Sequence, residues 1–283
     1  MVNPETKRIH TTYNQLGAAT GRLSSEAPNL QNIPSGEGYA DRIKACFKPE
    51  KPDFSFLVAD YSQVELRILA SLSGDPALIE TFERAEDIHT RTARFLFGEN
   101  TTITSEYRRI AKSVNFGVVY GITGFGLSKV LGTSPAEATA YIDKFYAMYP
   151  RVREYYQGIL DGAKKNGYVE TFFGRRRYVP GVNDANKMIR SATEREAINM
   201  PIQGTAADVI KLAMITIDEY IRSNNLKSRM LLQVHDELVF EVHQSERALF
   251  EAKVREIMEG VFAGKAKLTV DIHSGENWKE AKG

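Results

Sequence analysis

A change of hydrophobic periodicity at one point of the chain constrains the fold more than any other feature. Residues Phe54–Ala59 are almost entirely apolar, as in a buried strand, and the run ends at Asp60. Beyond it, the apolar side chains from Val64 to Leu69 recur at helical spacing. The sequence therefore predicts a strand-to-helix junction, with an acidic side chain where the strand ends.

The elements that follow form one long helical region between two β-prone regions. Helical spacing continues from Pro76 to about Gly167, a hairpin is predicted at Tyr168–Pro180, and a further helical region reaches about Asn225. We expect breaks at Gly98, at Gly121–Gly126, at Pro150 and at Pro201, and then a hairpin at Met230–Val242, a helix at Glu246–Gly260 and a strand at Lys267–Ile272. This order predicts an α+β fold in which residues 36–72 and 191–283 build a sheet domain. Residues 73–190 form an inserted, mainly helical subdomain, and residues 1–35 are an irregular lead-in.

Composition limits the class of protein. The chain has 283 residues, a net charge of +1 and one cysteine, Cys46, so an internal disulfide and a thiolate metal cluster are excluded. It lacks the roughly 20 consecutive apolar residues of a membrane helix, and Met1–His10 is too polar for a secretory signal. We expect a cytoplasmic protein in a reducing compartment, without a membrane partner.

Positive charge is concentrated in two places, so any surface that binds phosphate has to be local. One cluster is Arg108, Arg109 and Lys112; the other is Arg175–Arg177, followed by Lys187, Arg190 and Arg195. Either cluster could equally be a solvated helix face or loop.

Two acidic residues lie where side chains project from the edge of a sheet. Asp60 ends a predicted buried strand, and Asp236 lies in a predicted hairpin turn. Mg²⁺ prefers oxygen ligands, and two ions held by such a pair can stabilise the attacking and leaving oxygens of a phosphoryl transfer. The alternatives are that Asp60 caps the following helix and that Asp236 is an ordinary turn residue.

Three motifs resemble those of the bacterial DNA polymerase I family, family A, in the order in which that family carries them. They are Asp60-Tyr-Ser-Gln-Val-Glu-Leu-Arg67 (motif A), the segment from Arg108 to Gly121 (motif B) and Val234-His-Asp-Glu237 (motif C). Shorter matches extend the resemblance over nearly the whole chain: Thr20–Ser25, Pro28–Pro34, Asp87–His89, Gly174–Arg177 and Gln203–Asp208.

The resemblance implies an antiparallel-sheet palm with an inserted, mainly helical fingers subdomain. It implies a template-directed DNA polymerase core, a nucleotidyltransferase of DNA replication or repair, which adds dNTPs to the 3′-hydroxyl of a primer. Its partners would be primer-template DNA and dNTPs. The family's thumb and exonuclease-type domains lie outside the resemblance, which leaves room for a separate chain that supplies the thumb. The resemblance implies a protein of the cytoplasm of a bacterial or phage-infected cell, and location in an organelle is an open alternative.

The resemblance also implies roles for individual residues. Asp60 and Asp236, with the backbone carbonyl of Tyr61, would hold two Mg²⁺ ions. Glu237 would lie near the ions, although a structural role in the turn explains it equally well. Arg108 and Lys112, successive i, i+4 neighbours on a helix, would bind the triphosphate, with Lys112 also catalytic. The other substrate contacts would be Gln63, His89, Phe116 against the sugar, Tyr120 near the new base pair, and Glu65 as the steric gate that excludes ribonucleotides. Donors toward the minor groove of the DNA would be Arg22, Asn29, Gln31, Arg195, Asn199, Gln203 and His235.

Some of these side chains could have purely structural roles instead. Glu65 could be a solvated acid in the first turn of a helix, and the amides could be buried core side chains. Two other functions compete with the first: a single-subunit RNA polymerase, and a catalytically incompetent DNA-binding remnant or half of a split enzyme. Incorporation of rNTPs distinguishes the former, and primer extension with and without partner chains distinguishes the latter.

Overall fold

The computed structural model describes residues 2–34 and 38–282, apart from the side chain of Ala40. Within these residues, none of the helices is long and apolar enough to cross a membrane. The strands are β1 (Thr12–Asn14), β2 (Ser24–Glu26), β3 (Phe54–Tyr61), β4 (Tyr168–Glu170), β5 (Arg176–Tyr178), β6 (Arg229–Val234), β7 (Glu237–His243) and β8 (Val270–Gly275). The helices are α1 (Tyr39–Cys46), α2 (Val64–Ser73), α3 (Pro76–Glu83), α4 (Ile88–Phe97), α5 (Ser105–Val119), α6 (Gly124–Leu131), α7 (Pro135–Met148), α8 (Pro150–Asn166), α9 (Lys187–Ser223), α10 (Arg247–Gly260) and α11 (Trp278–Lys282), with a short 3₁₀ turn at Pro180–Asn183.

The chain divides into two compact units. The first, here called the sheet unit, comprises Met1–Val64, Ala206–Phe262 and Leu268–Gly283. The second, the helical unit, comprises Glu65–Thr205 and Ala263–Lys267. The mixture of helices with an antiparallel sheet confirms the predicted α+β class. The predicted boundary between residues 35 and 36 falls outside the described residues.

A four-stranded antiparallel sheet organises the sheet unit. The strand order is β6-β7-β3-β8, so β3 has a partner on each side. Asp60 is opposite Glu237 on β7 and opposite Asp271 on β8. Because side chains alternate along a strand, Asp60 lies on the same face as Val58 and Phe56.

Each face of this sheet is covered by a helix. On the face that carries Asp60, Phe56 and Val58 pack with Trp278 and Ala281 of α11 in one buried cluster. On the other face, Phe240 meets Phe250 of α10, with ring centroids 5.3 Å apart. The apolar run of β3 is therefore explained by burial on both faces, and α11 approaches the face on which the acidic residues lie.

In the helical unit, α5 begins at a side-chain cap. The hydroxyl of Thr104 accepts a hydrogen bond from the Tyr107 amide at 3.2 Å, which satisfies one of the free N–H groups of the first turn. Ala111, Val114 and Val118 are buried, so one stripe of α5 faces the core. The residues of motif B on the opposite stripe remain accessible.

Two predictions about single elements are wrong. The expected break at Pro201 does not occur, since α9 is continuous through it. A proline inside a helix costs about 3 kcal/mol, but Ala197, Met200 and Ile202 around it are fully buried, and their packing holds the helix together. The last strand runs over Val270–Gly275 rather than Lys267–Ile272, because pairing with β3 places Val270 opposite Tyr61.

Candidate active site

The acidic residues meet at one end of the sheet in the sheet unit. Asp60 is the penultimate residue of β3, and Asp236 is in the two-residue turn between β6 and β7, where Val234 pairs with Glu237. The amide of Tyr61 donates a hydrogen bond to the carbonyl of Asp236 at 3.2 Å, which fixes the turn against the end of β3. The capping role considered for Asp60 is wrong, because Asp60 lies within β3 and α2 begins only at Val64.

The site concentrates negative charge in a partly buried environment. Burial, with the neighbouring negative charges of Asp236 and Glu237 and against the positive charge of Lys282, raises the pKa of Asp60 to about 7. Burial also raises the pKa of Asp236. Carboxylates in this situation are stabilised by a cation, so the electrostatics favour binding of positive charge.

The donor set suits a hard divalent cation. Oδ1 of Asp60 and Oε1 of Glu237 are buried and lack a hydrogen-bond partner. Among the described residues no three acidic, histidine or cysteine side chains form a ready metal cluster. A site with two or three carboxylate oxygens matches Mg²⁺, which takes one or two carboxylates together with waters and phosphates. The backbone of Tyr61 is held beside Asp236 by the hydrogen bond from its amide to the Asp236 carbonyl at 3.2 Å.

In the helical unit, α5 presents the predicted phosphate-binding residues. Arg108 is anchored by Asp87, with Nε of Arg108 and Oδ2 of Asp87 2.7 Å apart. Burial would raise the pKa of Asp87, but hydrogen bonds from Arg108, from Thr90 and from the His89 amide outweigh it and lower the pKa to about 2. Lys112 is exposed one turn further along, with its Nζ 6.0 Å from the centre of the Phe116 ring.

His89 is buried beside these residues and is neutral at pH 7. Burial lowers its pKa to about 4, assisted by the charges of Arg108 and Lys112. Its Nδ1 lies 3.0 Å from Nδ2 of Asn115. Because an amide nitrogen only donates, Nδ1 accepts and the ring proton is on Nε2. The ring centroid lies 5.6 Å from that of Phe116.

Glu65 is buried, so its interpretation as a solvated acid is wrong. It is 6% exposed in the first turn of α2 and accepts a hydrogen bond from the Tyr120 hydroxyl at 2.7 Å. Tyr120 ends α5 as its C-cap residue. Two residues predicted to bind substrate thus form a pair, although 55 positions separate them. Gln63, also predicted to bind substrate, precedes α2 with φ at +55°, in the left-handed region.

Four predicted DNA contacts belong to the sheet unit, and three of them are linked by hydrogen bonds, two of these three through Gln233. Gln31 donates to the side chain of Gln233 at 2.8 Å, and Gln233 donates to the carbonyl of His235 at 2.5 Å. Asn29 accepts a hydrogen bond from the Gln31 amide at 3.0 Å. The positive charge of Arg22 lowers the pKa of Asp236, so Arg22 lies near the acidic residues.

The other three predicted DNA contacts share one stripe of α9 in the helical unit. Arg195, Asn199 and Gln203 follow one another at a spacing of four residues. Oδ1 of Asn199 is buried without a partner. A Cβ built on Gly121 would lie 3.6 Å from Cγ of Arg195, so the end of α5 approaches this stripe closely.

The arginine hairpin is largely neutralised within its own unit. Arg177 pairs with Glu196 at 2.6 Å, and Arg176 pairs with Glu170 at 3.4 Å while covering the ring of Tyr168. Carboxylates of the same unit therefore pair with two arginines of this cluster, Arg176 and Arg177.

Sequence reasoning missed several residues of these sites. Gln233 and Lys282 are absent from the predicted set, as is Asp87, which anchors Arg108. Asp87 had a local signal, since an Asp directly before a helical run is typical of an N-cap. For Lys282 there was none, because its contact with Glu237 spans 45 residues.

Comparison with known proteins identifies the family of the chain. Residues 1–280 match the sequence pattern of DNA polymerase family A. The chain belongs to the family A DNA polymerases. It is 47% identical to a thermostable DNA polymerase I of Thermus thermophilus, in a match that covers all of this chain and 34% of that protein. It is 48% identical to DNA polymerase I of Chloroflexus aurantiacus, in a match that covers 99% of this chain and 30% of that protein.

A solved polymerase structure has the same fold. The POL domain of Pol1 from M. smegmatis, in complex with DNA primer-template and dNTP, superposes with a TM-score of 0.94 at 43% identity. The match covers 99% of this chain and 49% of the other. The chain thus spans about a third of the length of the curated family A relatives that it matches.

Proposed function

We propose that this chain is the core of a template-directed DNA polymerase, which adds dNTPs to a primer 3′-hydroxyl by two-metal phosphoryl transfer. The observation that carries the proposal is the acidic pair at the end of the sheet. Asp60 has a buried oxygen without a partner and a pKa raised to about 7, with Asp236 beside it in a turn hydrogen-bonded to β3. A site of this kind favours cations strongly, and the family membership supports phosphoryl transfer as its chemistry.

In this proposal each residue has one task. Asp60 and Asp236, with the Tyr61 carbonyl, would hold two Mg²⁺ ions, which when bound supply charge to the attacking and leaving oxygens. Arg108 and Lys112 bind the triphosphate, and both present their cationic groups on the accessible side of α5. His89, neutral with its proton on Nε2, can donate one hydrogen bond to a phosphate oxygen without adding charge.

The sugar specificity follows from Glu65 in the same proposal. Its carboxylate is buried, and one oxygen already accepts from the Tyr120 hydroxyl, so the side chain is held in place. A fixed carboxylate against the sugar C2′ position leaves no room for a hydroxyl, and the preferred substrate is a deoxynucleotide.

Primer-template DNA is the proposed partner. Gln31 and His235 lie on one hydrogen-bonded chain with Gln233, and Arg195, Asn199 and Gln203 share a face of α9. Amide and basic groups can reach the minor-groove acceptors common to all four base pairs. The M. smegmatis complex, which contains both primer-template and dNTP, supports this assignment.

Primer extension with three matched variants tests the proposal. Asp60→Asn and Asp236→Asn should each abolish dNTP incorporation and leave duplex binding nearly unchanged, since carboxylates hold the metal and other groups hold the DNA. Asp271→Asn is the control, because it removes the same charge from the exposed residue opposite Asp60 on β8. Near-normal extension by either site variant would refute the two-metal assignment, as would an equal loss in the control.

A further inference from the structure

A lysine from the end of the chain is paired with the acidic site. Nζ of Lys282 lies 2.5 Å from Oε2 of Glu237, which is 2% exposed. The charge of Lys282 also lowers the pKa of both Asp60 and Asp236. One ammonium group is therefore within electrostatic range of all three carboxylates.

Lys282 is held in this position by the packing of α11. The Trp278 ring is 2% exposed and meets the Phe47 ring edge-on at 5.3 Å, and the Trp278 amide donates to the Phe47 carbonyl at 3.1 Å. Lys279, one turn before Lys282, pairs with Asp41 at 3.3 Å. The helix is thus attached to α1 on one side and directs Lys282 toward Glu237 on the other.

The pair decides which oxygens of Glu237 can bind a metal. Oε2 is taken by Lys282, while Oε1 is buried without a partner. An oxygen that accepts from an ammonium group has less electron density and less open space for an ion, so coordination of one ion through both oxygens is disfavoured. Ca²⁺ takes six to eight oxygens and accepts bidentate carboxylates, whereas Mg²⁺ requires compact octahedral geometry with few carboxylates. Restricting Glu237 to one oxygen therefore disfavours Ca²⁺ more than Mg²⁺.

We propose that Lys282 is a positioning residue that sets the metal selectivity of the acidic site by keeping Glu237 from chelating. This inference rests on the proposed function in one respect, namely that the acidic site binds a metal ion. Without Lys282, Glu237 becomes a bidentate ligand beside Asp236, and the site gains affinity for larger divalent ions.

Calorimetric titration of the metal-free protein with Ca²⁺ and with Mg²⁺ tests this directly. Lys282→Ala should bind Ca²⁺ about tenfold more tightly, while Mg²⁺ affinity changes about threefold or less, because only Ca²⁺ uses the second oxygen. Lys282→Arg keeps the charge and the hydrogen bond, so it should resemble wild type. In primer extension with Mg²⁺, Lys282→Ala should be inhibited by correspondingly less Ca²⁺.

Lys279→Ala is the matched control, since it removes an ion pair from the same helix without touching Glu237. A purely structural role for Lys282 predicts equal Ca²⁺ affinity in both alanine variants and would overturn the proposal. So would a tightened Ca²⁺ affinity that persists in Glu237→Gln/Lys282→Ala. If Lys282→Ala does not fold, as judged by Trp278 fluorescence, Lys282→Met replaces it, because methionine keeps the length of the side chain and has no donor for Glu237.

The two proposals can fail separately. A wild-type protein that extends no primer while the Ca²⁺ shift appears would refute the polymerase assignment alone. Normal primer extension without the Ca²⁺ shift would refute the role of Lys282 alone.

Discussion

Replacing Asp60 with asparagine should stabilise the metal-free protein while it destroys activity. Burial, together with the nearby negative charges of Asp236 and Glu237, raises the pKa of Asp60 from 3.8 to about 7. At about 1.4 kcal/mol for each unit of pKa, ionising this group in the folded state costs up to about 4 kcal/mol at pH 8. Because Asp60 is partly exposed and solvent screens its charge, we expect about 2 kcal/mol. Asparagine avoids this cost.

The sign of the pH dependence follows from the raised pKa. Below about pH 4 the Asp60 carboxyl is protonated in the folded and unfolded states, so Asp60→Asn changes little. Between about pH 4 and pH 7 the unfolded state loses the proton first, and wild type loses stability as the pH rises. Above pH 7 the cost is complete. The gain from Asp60→Asn should therefore grow through this window.

Denaturant unfolding in EDTA at pH 4.5 and pH 8 measures the effect. Trp278 is the only tryptophan in the sequence and is buried in the sheet unit, so its fluorescence reports the unfolding of the unit that contains Asp60. Asp271→Asn serves as the control and should change the free energy of unfolding by less than about 0.5 kcal/mol, as expected of an exposed side chain. If Asp60→Asn is no more stable than wild type at pH 8, the ionised Asp60 carboxylate does not cost folding free energy, and the argument is refuted.

Three further predictions concern the helical unit. Glu65→Ala should raise the ratio of rNTP to dNTP incorporation efficiency, because it removes the side chain proposed to exclude the 2′-hydroxyl; an unchanged ratio would place the gate elsewhere. Phe116→Tyr should improve the use of dideoxynucleotides, since a phenolic hydroxyl can partly replace the hydrogen bond of the missing 3′-hydroxyl; equal terminator use by both forms would contradict this. The ring of His89 should titrate about pH 4 in NMR spectra and carry its proton on Nε2 at pH 7, because it is buried against Asn115; titration near pH 6.5 would show that it is solvated.

Much of the local structure could be predicted because it depends on neighbours in sequence. The apolar run at Phe54–Ala59 and the hairpins around Gly174 and Asp236 lie where periodicity and turn residues placed them. Motif B predicted that Arg108 and Lys112 lie on one helix, and both lie on α5. Where a local rule met a strong tertiary interaction, as at Pro201, the local rule failed because buried neighbours outweighed it.

The sequence by itself determined the order of the elements, the α+β class and the membership in family A, since these depend on periodicity and on contiguous motifs. Only the tertiary structure decided which side chains meet. The register of β3 with β7 and β8 sets Asp60 opposite Glu237 and Asp271. The Tyr120–Glu65 and Lys282–Glu237 pairs join residues 55 and 45 positions apart. Such pairs arise from strand register and helix packing, and no local pattern in the chain encodes either.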